Sequence, residues 1–188
     1  MEDKLNYALE DGEELLWEGR PEEFDTLDKT HKSGIIKGAI IKAIVGAAIL
    51  IGYFAVAGRN GAGVKGGLVA IIILIAAYAV ASPFIHANTL RRKIGYAITN
   101  KRLFVVKDDV KSVAFDQIKA AAIKTDDDGH VTLLCGEDAV KGKQTRWRSD
   151  ASLGIRMDAD NSECSSAVWY AIPDAQKVEP ILRQYLPL

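Results

Sequence analysis

Few residues in this chain of 188 combine a type and a spacing suited to chemistry. The three histidines, His31, His86 and His130, are far apart in sequence and form neither a metal-ligand spacing nor a triad. Asp126–Asp128 followed by Gly129 invites a calcium reading, but an EF-hand loop needs alternating oxygen ligands and a distant Glu, so the run reads as a solvated turn. Asp158 and Glu163 could form a carboxylate pair, yet a turn between strands accounts for them equally well. Cys135 and Cys164 have no CxxC spacing and no neighbouring His, which points to free thiols in a reducing compartment. The glycines of Gly58–Lys65, "GRNGAGVK", lack the Gly-Lys-Ser/Thr end of a P-loop. No catalytic residue, metal or cofactor is expected, the chain does not read as an enzyme, and no nucleic-acid partner is expected.

Two stretches read as binding surfaces. In "KGKQTRWR", Lys141, Lys143, Arg146 and Arg148 surround Trp147 in a predicted loop between the fifth and sixth strands. Cations beside an aromatic suit an anionic lipid headgroup or an acidic partner, and a merely solvated loop is the alternative. The second stretch lies in the acidic N-terminus. Residues 1–28 hold eleven Asp and Glu against Lys4 and Arg20, a net of −9 that leaves +8 for the rest of a chain of charge −1. Such a tail either stays solvated or docks on something basic. Its apolar island, Leu15, Leu16 and Trp17, is expected to pack on the β domain as an added strand, or else to recruit another protein.

These residues are positioned by two kinds of element. Gly66–Ile85 is twenty residues without a charge, enough for a helix to cover the roughly 30 Å of a bilayer core. Ile35–Ala57 is apolar except for Lys37 and Lys42, whose long stems are expected to reach back to the interface. The first apolar run begins near residue 35 behind acidic residues, unlike a secretory signal. The two spans predict a transmembrane hairpin over 33–87, with 1–32 as an acidic segment and 88–188 as a separate domain. Lys29, Lys32, Lys37, Lys42, Arg91, Arg92 and Lys93 flank the spans on one side, against Arg59 and Lys65 in the loop, so the positive-inside bias places both termini in the cytoplasm of an inner-membrane, multi-pass protein. Gly34/Gly38, Ala43/Ala47 and Ala77/Ala81 are expected to pack the hairpin against itself, a homo-oligomer seam being the alternative. Pro83 is placed where a kink costs little, and the absence of Asp and Glu from the spans argues against an ion pathway.

After residue 90 the apolar period becomes two. Ile94, Tyr96 and Ile98 share a face, and a two-residue turn at Asn100-Lys101 sets Leu103 and Val105 opposite them, giving a hairpin with one buried face. Further strands are predicted near Val110–Phe115, Ile118–Lys124, His130–Cys135, Ser152–Asp158 and Glu163–Ile172, seven in all. A helix over Asp174–Tyr185 closes the chain, capped by Asp174, with Val178, Ile181, Leu182 and Tyr185 on one face and its first turns distorted by Pro180. The fold class is α+β: a transmembrane hairpin followed by a seven-stranded antiparallel barrel or sandwich and a C-terminal helix.

"YAITNKRLFVV" resembles the first hairpin of the bacterial membrane-anchored pleckstrin-homology-like family. Its members begin with Gly-Glu, an apolar pair and a Trp, then have paired spans, then a Tyr-x-x-Thr-Asn-x-Arg hairpin. This chain has "GEELLWEGRP" at Gly12–Pro21, two spans, and Tyr96, Thr99, Asn100 and Arg102 in that arrangement. The resemblance implies a PH-like cytoplasmic domain acting as a binding or scaffolding module on the lipid bilayer, with an unidentified protein partner. The basic signature of phosphoinositide-binding relatives is missing, since their hairpin loop is represented only by Lys101 and Arg102. The competing reading is an accessory subunit assembled through its transmembrane helices.

Overall fold

A computed structural model describes residues 2–59, 61 and 63–188, so Asn60 and Ala62 of the predicted glycine-rich loop lie outside the described residues. A short helix, α1 (Glu2–Asn6), and a strand, β1 (Leu15–Gly19), precede two long helices, α2 (Lys29–Arg59) and α3 (Gly66–Lys93). Both helices are long and apolar enough to cross a membrane. Ile40, Ile44, Ile51, Leu74 and Ile75 each stand more than half exposed along them. A helix serving as the core of a soluble domain would bury such residues.

The helices approach closely at Gly46, where an added Cβ would lie 2.9 Å from that of Ala76. This seam differs from the expected one: Ala43, Ala47 and Ala77 are exposed, while Gly34 and Gly38 line a cleft. Lys42 also departs from expectation. Pro83 has no N–H for the carbonyl four residues back, and that orphaned Ala79 oxygen accepts from Lys42 Nζ at 2.7 Å and from Ser82 Oγ at 2.9 Å. The ammonium crosses to the neighbouring helix instead of reaching back along its own.

Past the apolar span α3 continues unbroken, and its last turns bury Ala87 and Leu90 completely in the core of the β domain. One residue, Ile94, separates α3 from β2 (Gly95–Thr99). Strands β2, β3 (Arg102–Val106) and β4 (Val110–Ala114) join β1 in an antiparallel sheet of order β1-β2-β3-β4. The register is the predicted one: Tyr96 lies opposite Val105 and Ile98 opposite Leu103, across a turn at Asn100-Lys101. Burial is greater than predicted, because both faces of β2 and β3 are covered. Leu5 of α1 packs on the outer face against Ala97, Phe104 and Val106.

A second sheet holds β5 (Ala121–Thr125), β6 (Val131–Cys135), β7 (Arg156–Met157) and β8 (Cys164–Trp169) in the order β5-β6-β8-β7. The two sheets are separate, so the barrel alternative is set aside. Between β6 and β7, where a loop and a strand from Ser152 were predicted, the chain forms α4 (Glu137–Val140), a 3₁₀ turn at Gln144–Arg146 and α5 (Trp147–Leu153). Trp147 and Ala151, four apart, supply the buried face that makes this segment helical. Helix α6 (Ala175–Tyr185) closes the chain with Val178 and Leu182 buried, and continues through Pro180. Asp174 precedes it in a left-handed conformation with no side-chain cap, its carboxylate pairing instead with Lys177.

The boundary expected near residue 32 does not hold. Residues 2–28 belong to the β domain: α1 covers one face, β1 completes the first sheet, and Phe24, Thr26 and Asp28 are buried at the foot of the helices. The helical hairpin is therefore an insertion between the first and second strands of the domain.

Candidate functional site

At the edge of the first sheet, β1 and the β2–β3 turn interlock. Thr99 Oγ1 donates to Glu13 Oε1 at 2.6 Å, and Arg102 donates to both Glu13 oxygens, Nη2 at 2.7 Å and Nε at 3.0 Å. Asn100 exchanges two bonds with the Glu14 backbone, its N–H donating to the carbonyl and its Oδ1 accepting from the N–H, each 3.1 Å. The hydrogen bonds from Arg102, together with Thr99 and against the opposing effect of burial, hold the Glu13 carboxyl at about 2. Tyr96 points inward, its hydroxyl accepting from the Tyr170 N–H at 3.0 Å and its ring stacking on Trp169 at 4.8 Å. Trp17 stacks on the same Trp169 at 6.2 Å. A bulge at Leu16 turns Trp17 inward and leaves Leu15 and Leu16 substantially exposed, so one residue of the apolar island docks and two do not. The Gly-Glu…Trp and Tyr-x-x-Thr-Asn-x-Arg segments are thus two halves of one joint.

A second cluster lies where the helices meet the domain. Arg148, expected on a surface loop, is buried beneath the sheets with Trp147. Its guanidinium pairs with Asp28, donates to the Tyr170 hydroxyl at 2.9 Å and the Thr26 carbonyl at 3.1 Å, and sits 4.4 Å from the centre of the Phe24 ring. Asp28 Oδ1 also accepts from the His31 backbone N–H and contacts His31 Nδ1, capping α2. Tyr170 donates to Asp126 Oδ2 at 2.8 Å, and burial pushes its hydroxyl well above the ordinary tyrosine value. The predicted solvated turn at Asp126–Asp128 is a clamp instead: Asp126 is buried, and Asp128 accepts from the Thr30 N–H and hydroxyl at the start of α2. Ligand atoms of Asp28, Asp126 and His130 lie within 4.8 Å of one another. Both oxygens of Asp28 and of Asp126 already accept hydrogen bonds, and the Arg148 guanidinium supplies the compensating positive charge.

Beside this cluster opens a cleft of about 370 Å3, walled by the foot of α2, the Ser82–His86 turn of α3, and α5. His31, Gly38, Lys42, Ser82, His86 and Arg148 line it. Lys42 also lines an apolar groove of about 340 Å3 that runs on between Ile41, Val45 and Ile49 of α2 and Ile72, Ile75 and Ala79 of α3.

The remaining predicted cations stay at the surface. Lys141, Lys143 and Arg146 border a basin with Arg156, Asp138 and Asp150, and Lys141 pairs with Glu137 along α4. Asp158 and Glu163 hold the β7–β8 turn through backbone bonds and do not form a carboxylate pair. Both cysteines are free and buried, and burial pushes the Cys164 thiol up to about 11. Sequence spacing did not reveal the Asp28–Arg148–Tyr170–Asp126 cluster, because its members come from four distant segments. The only local hint was Asp28 three residues before His31, a capping spacing. Comparison with family models, curated proteins and solved structures finds no match.

Proposed function

We propose that this chain is a non-catalytic binding or scaffolding module of the bacterial membrane-anchored pleckstrin-homology-like type, with α2 and α3 crossing the inner membrane and both flanks in the cytoplasm. The observation that carries this reading is the passage of α3 into the β core with only Ile94 before β2. A domain joined this way has no linker to swing on. It is held at one height and tilt above the bilayer, which raises its effective concentration toward partners at that surface.

The strand order supports the PH-like assignment. Strands β1 to β4 form one sheet, β5, β6, β8 and the short β7 the other, and α6 comes last; β2 to β8 are the seven strands of the expected order and β1 is an eighth. The non-catalytic assignment is supported by the buried Asp28–Arg148–Tyr170–Asp126 cluster, whose members pair and hydrogen-bond with one another. The surface offered to a partner is Lys141, Lys143 and Arg146. Thr145, in the same segment, lies 3.7 Å from where a Gly34 Cβ would be, so these cations stand beside the foot of α2, which in the proposed placement lies near the headgroups. Each such cation contributes about 1 kcal/mol toward an anionic surface.

A second reading, an accessory subunit assembled through the helices, is favoured by the exposed small faces at Ala43, Ala47 and Ala77. Crosslinking in the native membrane with mass spectrometry separates the two, comparing the wild type with a variant in which Lys141, Lys143 and Arg146 are changed to Ser. Arg148 stays unchanged because it is buried. Loss of a specific crosslinked partner in the variant supports the recruiting surface. The same partner retained, with crosslinks mapping to α2 and α3, makes the chain an accessory subunit.

A further inference from the structure

The cleft at the foot of the helices and the groove that continues from it have the two chemistries of a phospholipid, in the order a bilayer would present them. With Arg59 at the far interface, Lys42 stands about 26 Å along α2 at 1.5 Å per residue, near the limit of a bilayer core of roughly 30 Å. The groove below Lys42 is walled by isoleucine, valine and alanine and lies at the depth of acyl chains. The cleft above it carries hydrogen-bond donors, and no carboxylate stands among its described lining residues.

Charge and hydrogen bonding narrow the occupant further. Of the two lysine and arginine side chains lining the cleft, Arg148 is neutralised by Asp28. Lys42 has no carboxylate partner among the described residues; its contacts are the Ala79 carbonyl and the Ser82 hydroxyl. One uncompensated positive charge in a site of low dielectric calls for one negative charge. Two further polar atoms are buried with no partner among the described residues, Arg148 Nε and His31 Nε2. Both side chains line the cleft and both residues are more than nine-tenths buried.

We infer that the cleft and groove together form a site for one monoanionic glycerophospholipid. Its phosphodiester meets Lys42 and Ser82, and an acyl chain fills the groove between α2 and α3. A lipid seated there bridges both helices and the foot of α5, and so fixes the angle between hairpin and β domain. This inference rests on the proposed placement of the hairpin in a bilayer.

The test is native mass spectrometry of the full-length protein, delipidated in detergent and offered dioleoyl-phosphatidylglycerol, dioleoylglycerol, which lacks the phosphate, or glycerophosphoglycerol, which lacks the chains. Phosphatidylglycerol is expected to be retained at one per chain, and the other two about tenfold more weakly. Gly38→Leu fills the cleft from a position where a Cβ meets nothing within 4 Å. Lys42→Met removes the charge while Ser82 still donates to the Ala79 carbonyl. Each variant is expected to keep the wild-type melting temperature of the β domain and to lose occupancy about tenfold. Wild-type occupancy in both variants overturns the inference. So does equal retention of dioleoylglycerol, which makes this a plain apolar groove, or of glycerophosphoglycerol, which makes it a site for a soluble phosphodiester. Alkaline extraction of native membranes is run in parallel. Release of the protein would sink the membrane placement itself, whereas retention together with unchanged lipid occupancy in the variants sinks only the lipid site.

Discussion

Glu13 with Arg102 and Asp28 with Arg148 are both ion pairs between the acidic N-terminal segment and the β domain, yet their surroundings differ. Arg102 lies at the start of β3, its side chain 18% exposed, and binds the buried Glu13 carboxylate in a two-pronged geometry with Thr99 in support. Arg148 and Asp28 are both buried, and their remaining hydrogen-bonding capacity is spread over Thr26, His31 and Tyr170. The first pair closes a sheet with a strand from the far side of the helical insertion. The second ties the start of α2 to the middle of the domain. In the first pair the cation keeps part of its hydration while the carboxylate is buried, whereas in the second both charges are buried and depend on their protein partners.

The difference is sharpest when one partner is removed. Arg148→Ala leaves Asp28 as an uncompensated buried charge, and the expected loss is about 3–5 kcal/mol, measured by urea unfolding in micelles with tryptophan fluorescence. Glu13→Gln keeps the shape of its side chain but loses the charge, with an expected cost of about 1–3 kcal/mol at pH 7. A larger loss for Glu13→Gln than for Arg148→Ala would invert the comparison.

The Glu13 pair also has a pH signature. Its folded-state value of about 2 lies below the ordinary 4.5, so its stabilisation is complete above about pH 4.5 and is lost as the pH falls toward 2. The wild type should lose stability through that window by more than Glu13→Gln does. Equal acid sensitivity in the two proteins would remove Glu13 from the account.

Smaller effects test how much of the β1 joint is apolar. Trp17→Ala removes a half-buried ring from the Trp169 stack and is expected to cost about 1–2 kcal/mol, seen as faster amide exchange across the β1–β2 pair. Leu15→Ser and Leu16→Ser touch exposed side chains and should stay within about 0.5 kcal/mol in the same unfolding assay. A leucine effect as large as that of Trp17 would mean that the bulge does not direct the docking.

The features legible in the sequence are those whose cause is local. A twenty-residue uncharged run, an alternation of period two across Asn100-Lys101, and an amphipathic face at Val178 and Leu182 state their own element, because each pattern repeats within the span of that element. The helix at Trp147–Leu153 is not legible for the same reason, since a helix of two turns shows too little period to outweigh its charged residues. Trp147 and Arg148 carry no local sign of burial. A cation next to an aromatic reads as surface until a carboxylate 120 positions away is brought against it.

The sequence by itself therefore determined that two apolar helices precede a β-rich domain, where the first hairpin turns, and which helix face looks inward, since these follow from side-chain periodicity along a continuous stretch. Only the tertiary structure decided that residues 2–28 belong to the β domain, that the Pro83-orphaned carbonyl takes up the Lys42 ammonium, and that His31, His86 and Arg148 gather around one cleft. Each of those depends on a donor finding an acceptor, or an apolar face finding its cover, across the fold, where the energy of burial exceeds any preference a short segment holds alone.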